Sequence, residues 1–217
     1  MTVGFAPRVF ACIADGQLVI LNVPADRYLM LPPEAEASLL RLVRDQPAEP
    51  ADQAVWERLC TSGLILQKSP QATLALCEAI TPLRSLLDDG WTPSGASPVW
   101  LAGVRALTAG ARLKMNGLEG ALRRMTAVPA PTTDDLDHVM AHAAAFAELR
   151  LAIRALDRCL PLSIALATIA RRQHRDVRLV LGVRCHPFCA HAWVQLGATV
   201  LNDRLDTVRS FTPILAL

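Results

Sequence analysis

The chain has 217 residues, of which 52% are hydrophobic and only 5% aromatic; 22 basic and 20 acidic side chains leave a net charge of +2. That length suits one large domain or two small ones. The charge balance gives no argument for a nucleic-acid partner, and no window reaches the roughly 18 consecutive apolar residues that span a bilayer. The opening residues, Met1 to Arg8, lack the basic segment and long apolar stretch of a signal peptide. A cytoplasmic protein with six reduced cysteines is therefore expected. Mean hydropathy is +0.30, supplied mostly by Ala and Leu, which predicts apolar surface available to a partner.

Residues 8–13 and 17–23 read as strands joined by a turn with an Asp15-Gly16 pair. A third extended piece, Arg27-Tyr28-Leu29-Met30-Leu31, ends at Pro32-Pro33. Ala35, Leu39, Leu42 and Val43 then make an apolar stripe at helical spacing. A second helix is expected from about Ala51 to Cys60, capped by Gly63. Three strands followed by helices in about eighty residues is a winged-helix-like order. Residues 51–62 carry more acid than base, so a DNA-recognition helix is missing. Peptide capture at a sheet edge is the alternative use of such a fold.

Residues 72–87 read as a helix, and the Gly/Pro/Ser/Asp-rich run 88–98 as a boundary. The expected division is a module over 1–85, a linker over 86–98 and a second domain over 99–217. Helices are expected over 99–126, despite four interior glycines, and from an N-cap at Thr133 to Arg154 or beyond. A further helix, 160–172, ends in Arg171-Arg172-Gln173-His174-Arg175. This basic run reads as a solvated helix end, with a phosphate-bearing ligand as the alternative. Strands follow at 177–183, 190–196 and 199–202, so the C-terminal part is α+β, with helices on an antiparallel sheet.

The chemistry concentrates in this last third. Pro161 suits the first turn of a helix and so places Cys159 at its start. There the helix dipole and a neighbouring imidazolium favour thiolate, the attacking species. A three-residue turn centred on Gly197 sets His191 opposite Asp203, within reach of a hydrogen bond that fixes the imidazole. Cys159, His191 and Asp203 are thus candidates for nucleophile, base and orienter. Cys185-His186-Pro187-Phe188-Cys189-Ala190-His191 holds four metal-ligand types, but its spacing is wrong for a zinc knuckle and no second pair exists, so no metal site is expected.

At these residues a resemblance emerges. Arg158-Cys159-Leu160-Pro161-Leu162-Ser163-Ile164-Ala165-Leu166, Leu181-Gly182-Val183-Arg184, Phe188, Ala190-His191-Ala192-Trp193-Val194 and Asn202-Asp203 resemble the transglutaminase-like, papain-like cysteine proteases of lasso peptide biosynthesis, the B proteins. Residues 17–22 and 27–32 are similar to the PqqD-like winged-helix module by which peptide-modifying systems recognise precursors. The resemblance implies a leader peptidase that cuts a ribosomally made precursor, with Cys159 as nucleophile, His191 as base and acid, and Asp203 as orienter. It implies leader binding beside Arg27, Tyr28, Leu29, Met30 and Leu31, and a partner macrolactam synthetase similar to asparagine synthetase. It also implies ATP, for which the sequence offers no nucleotide motif. The alternatives are a non-catalytic scaffold that delivers precursor to another enzyme and an acyltransferase built on the same three residues.

Overall fold

The computed structural model describes residues 3–67, 74–90, 98–128, 136–152, 158–174 and 176–217. They fall into two compact units, Met1–Glu78 and Ala79–Leu217.

The first unit opens with β1 (Val3–Phe5), which sequence reading did not anticipate, followed by β2 (Val9–Ala14), β3 (Gln17–Asn22) and β4 (Arg27–Met30). Asp15 and Gly16 both take positive φ, 50° and 81°, the requirement of a type I′ turn, and β2 pairs β3 in unbroken antiparallel register from it. Pro32 stops β4, and α1 (Pro33–Val43) begins at once with Pro33 in its first turn, where a missing N–H leaves nothing unpaired. The second helix, α2 (Asp52–Thr61), ends as expected at Gly63: the Gly63 N–H donates to the Cys60 carbonyl and the Leu64 N–H to the Leu59 carbonyl. These two bonds with a glycine at φ 72° form a Schellman cap, which turns the chain into β5 (Ile65–Gln67), paired antiparallel with β1. Leu18, Ile20, Leu39, Val55, Leu59 and Ile65 fill the core between strands and helices. Asp52 is buried, receives both Nε and Nη2 of Arg41 and the Glu49 N–H, and ties α2 to α1. The guanidinium bonded to it holds its carboxyl well below the usual carboxylate range.

The second unit differs from expectation at its start. Residues 74–83 form no helix, and Arg84–Ser85 is a strand, β6. Backbone bonds explain this: the Leu83 N–H goes to the Ala198 carbonyl and the Leu86 N–H to the Val200 carbonyl, so a sheet edge takes the donors that a helix would use internally. Residues 79–90, expected to end the first module and open the linker, thus belong with the second unit. Three helices follow: α3 (Val99–Thr126), α4 (Leu136–Ala152) and α5 (Cys159–Ala170). The expected cap Thr133 lies outside the described residues. Four more strands and a short helix complete the unit: β7 (Val177–Cys185), β8 (Phe188–Leu196), β9 (Thr199–Val200), α6 (Leu205–Arg209) and β10 (Thr212–Ala216). Sheet order is β10-β7-β8-β9-β6. Every pair is antiparallel except β6, which lies parallel to β9; the sheet is therefore mixed rather than antiparallel throughout.

The α5 helix is apolar around its whole circumference, which marks a buried helix. Leu162, Ile164, Ala165, Leu166, Ala167 and Ala170 are all buried, and the helix packs against α3, α4, β7 and β8. Its many alanines let those neighbours approach closely, so the position of its first turn is strongly constrained.

Candidate active site

Strand β8 pairs along its full length with β7 on one side but with β9 for only two residues on the other. The β8–β9 turn is Gly197-Ala198, with Leu196 facing Thr199 and Gln195 facing Val200. The three-residue turn inferred from sequence is one residue too long, and simple cross-strand pairing does not bring Asp203 to His191. A side chain does so instead. After the Leu201 N–H bonds the Val194 carbonyl, Asn202 turns inward and its Oδ1 accepts the Val194 N–H at 2.8 Å. The Asn202 Nδ2 donates to Ser163 Oγ on α5 at 3.0 Å, and Ser163 Oγ donates to the Ala192 carbonyl at 2.9 Å. Asn202 thus replaces the next rung of the ladder and links sheet to helix.

The edge of β8 that β9 vacates is occupied by the first turn of α5. There the Cys159 thiol comes under the influence of the His191 ring and of the backbone N–H groups of Ala192 and Leu160, which together lower its pKa. His191 Nε2 bonds Asp203 Oδ2. With Nε2 so engaged, Nδ1 is the nitrogen left to face the thiol. The structure therefore brings Cys159, His191 and Asp203 together, with His191 hydrogen-bonded to Asp203 and electrostatically coupled to Cys159. Cys159 is half-buried, His191 and Asp203 fully so.

Sequence reasoning missed the groups that hold these three residues in place. Arg150 of α4 donates through Nη1 to Asp203 Oδ2 and, at 3.0 Å, to the Asn202 carbonyl. Ser85 Oγ donates to the Asp203 carbonyl, and the Arg204 N–H donates to Asp203 Oδ1. A signal for Arg150 existed: it is a cation following the buried apolar run 143–147 and Leu149. Ser85 had none, because it lies in a segment read as helix. The result is alternating charge: Arg150 guanidinium, Asp203 carboxylate, His191 imidazole, Cys159 thiol.

That order sets the electrostatics. Burial pushes the His191 pKa down, but the Asp203 hydrogen bond, then Cys159, then the charge of both outweigh it and raise the pKa to about 9. Burial likewise pushes the Cys159 thiol up, but the His191 hydrogen bond and charge and the two backbone N–H groups bring it below its ordinary value. Both shifts act in the direction of a thiolate–imidazolium pair. Alkylation of Cys159 by iodoacetamide, followed by site-resolved mass spectrometry, should set in below the ~8.5 of an ordinary thiol. His191→Ala should move that onset upward, since burial then meets less opposition; an unmoved onset would show that His191 does not govern the thiol.

The ring of His191 stacks on Phe211 with centroids 5.0 Å apart and on Trp193 at 6.2 Å. Gly182 faces His191 across the β7–β8 ladder. A Cβ there would lie 2.7 Å from Trp193 Cζ3 and 2.9 Å from Phe211 Cβ. Neither ring nor backbone-anchored Cβ yields easily. Gly182→Ala is expected to cost about 1–3 kcal/mol of stability, the usual range for overpacking. It should lower the thermal midpoint by several degrees, read by calorimetry.

An apolar groove of about 730 Å³ runs between α3 and the first turn of α5, lined by Gly103, Ala106, Leu107, Gly110, Arg158 and Pro161 among others; Cys159 does not line it. In the first unit, a cavity of about 450 Å³ lies against β4. Arg27, Leu29, Met30 and Leu31, four of the five sequence-predicted leader-binding residues, line it together with Val55, Arg58 and Leu59 of α2. Tyr28 is on β4 but does not line the cavity. Among the described residues no group of three or more metal-ligating side chains lies together, and no helix is long and apolar enough to cross a membrane.

Residues 100–216 match the family model of the transglutaminase-like superfamily. A stretch of 45 residues is 47% identical to the microcin J25-processing protein McjB of Escherichia coli, covering 21% of this chain and 22% of that protein. No solved structure matches the chain. With the family model matching more than half of its length and a Cys-His-Asp cluster inside the matched region, the chain belongs to the transglutaminase-like superfamily.

Proposed function

We propose that this chain is a cysteine peptidase that removes the leader from a lasso peptide precursor. The observation that carries the reading is the grouping of Cys159, at a helix start with no side-chain cap, with the hydrogen-bonded pair His191–Asp203. The partial match to McjB supports the choice of substrate class. In the proposed reaction the Cys159 thiolate attacks the scissile carbonyl, forming a C–S bond and an oxyanion that helix-start N–H groups stabilise. The C–N bond then breaks, and the leaving amine of the core takes the proton from the His191 imidazolium. Water attacks the thioester, His191 takes its proton, and the C–S bond breaks to return the thiolate. Asp203, held by Arg150, orients the ring throughout.

The first unit, Met1–Glu78, is read as a PqqD-like winged-helix module. Its strand β4 ends the three-stranded sheet and borders a cavity, the arrangement that strand addition by an extended leader uses. A leader held on the same chain raises the effective concentration of the cut site and allows a weak peptidase site to suffice. The core amine released would be the substrate of a macrolactam synthetase similar to asparagine synthetase. ATP, if bound, would supply phosphate-transfer free energy; the positively charged cavity described below has the donors for its phosphates.

Incubating the chain with precursor, with and without ATP and the synthetase, and weighing the products tests the reading. Leader and core peptides whose masses sum to precursor plus one water uphold it. Intact precursor that still binds would favour a non-catalytic scaffold, and a leader joined to an added amine would favour acyl transfer.

A further inference from the structure

The helical side of the second unit holds a cavity of about 330 Å³ lined by Arg105, Arg112, Arg124, Arg172 and His142, with no carboxylate among its lining residues. Two of the arginines, Arg105 and Arg112, stand two turns apart on one face of α3. Helical geometry alone would not bring Arg124 to them. Gly117 breaks α3 with φ 64° and ψ −177°, a conformation that glycine adopts readily, and the redirected second half returns Ala121 and Arg124 to the same cavity. Arg172 comes from just beyond the end of α5, where a cation suits the helix dipole. That bland explanation serves Arg172 and also Arg124, in the last turn of α3, but neither Arg105 nor Arg112.

Four arginines elsewhere meet carboxylates: Arg41 with Asp52, Arg84 with Asp89, Arg123 with Glu119, Arg150 with Asp203. Among the described residues no ion pair engages the four that line this cavity. Four like charges around one small space repel one another within a Debye length of about 10 Å. The neighbouring His142 registers this: burial first, then Arg105 and His138, hold its pKa below the usual histidine range. The floor is apolar, formed by Ala109, Ala121, Ile164 and Ala165.

We infer that this cavity is a binding site for a polyphosphate anion, either free or as the phosphate chain of a nucleotide. Guanidinium forks match phosphate oxygens in pairs, and several of them around one concavity neutralise a multiply charged ligand better than a single anion. The apolar floor accommodates an attached ring. The bound anion joins α3 to the C-terminal half of α5, the helix whose first turn carries Cys159. This inference stands apart from the peptidase reading, since it needs neither the triad nor a precursor.

Titration calorimetry of the full chain with inorganic triphosphate, ATP and adenosine tests it. Triphosphate should bind one per chain, more weakly as salt rises. Arg112→Glu with Arg124→Glu should weaken binding by about tenfold or more, while Arg44→Glu, in the first unit, should leave it unchanged. The pair Arg112→Gln with Arg124→Gln carries the same test should the acidic pair fail to fold. ATP binding more tightly than triphosphate identifies a nucleotide, and equal affinity identifies a free polyphosphate; both uphold the site. Failure of triphosphate to bind, binding that survives either double substitution, or arginine-dependent capture of a DNA duplex in preference to triphosphate overturns it.

Discussion

Cys159→Ala is expected to stop leader release while leaving leader binding intact. The substitution removes a half-buried sulfur at the first turn of α5 and little else, because the helix is held by its apolar contacts and by the Ser163–Asn202 link rather than by the thiol. Loss of a nucleophile cannot be compensated by the base behind it, so cleavage should fall by at least about 10⁴-fold, the scale found when triad members are deleted. Two measurements separate chemistry from recognition: core peptide appearance by mass spectrometry, and leader affinity by fluorescence anisotropy. Cleavage that persists in this variant removes Cys159 from the mechanism. Leader affinity that collapses with it would mean that the substitution disturbed more than the site.

Asp203→Asn is expected to cost about 10²–10⁴-fold in kcat with little change in KM. The amide keeps the shape of the carboxylate but loses the charge that draws the His191 pKa to about 9. The imidazolium then gives up its proton at lower pH, and the thiolate beside it loses part of its support. The sign of the pH effect follows. In the parent chain, cleavage should fall as pH rises through about 9, where His191 loses the proton owed to the leaving amine. In Asp203→Asn that basic limb should move to lower pH. A merely structural role for Asp203 would lower kcat without moving the limb. Arg150 sharpens the comparison: Asp203→Ala strands a partly buried guanidinium as well as freeing the ring, so it should lose thermal stability that Asp203→Asn retains.

The parts of this fold legible in the sequence are those fixed by local chemistry. Asp15-Gly16 announces a hairpin because both residues tolerate positive φ, and Gly63 announces a helix end for the same reason. Pro161 and the Ala-rich run behind it announce a buried helix with Cys159 at its start. Long-range pairing was not legible. Ser85 lies 118 residues from the Asp203 carbonyl that it holds, and nothing in residues 72–87 signals that their backbone donors belong to β9. The spacing argument for His191 and Asp203 named the right pair of neighbours through the wrong device. It assumed a regular ladder around Gly197, whereas a two-residue turn and the Asn202 side chain make the connection. Arg150 shows the same limit: its charge after an apolar run was visible, but its partner on another element was not.

The central claim is that Cys159, activated by His191, forms an acyl bond with the precursor. A precursor analogue that carries an electrophilic vinyl ester in place of the scissile amide tests this most directly. Peptide mapping of the covalent product should place the adduct on Cys159 in the parent chain, with its rate of formation sharply reduced in His191→Ala. An adduct on a different cysteine, or one that forms as fast without the imidazole, would contradict the account.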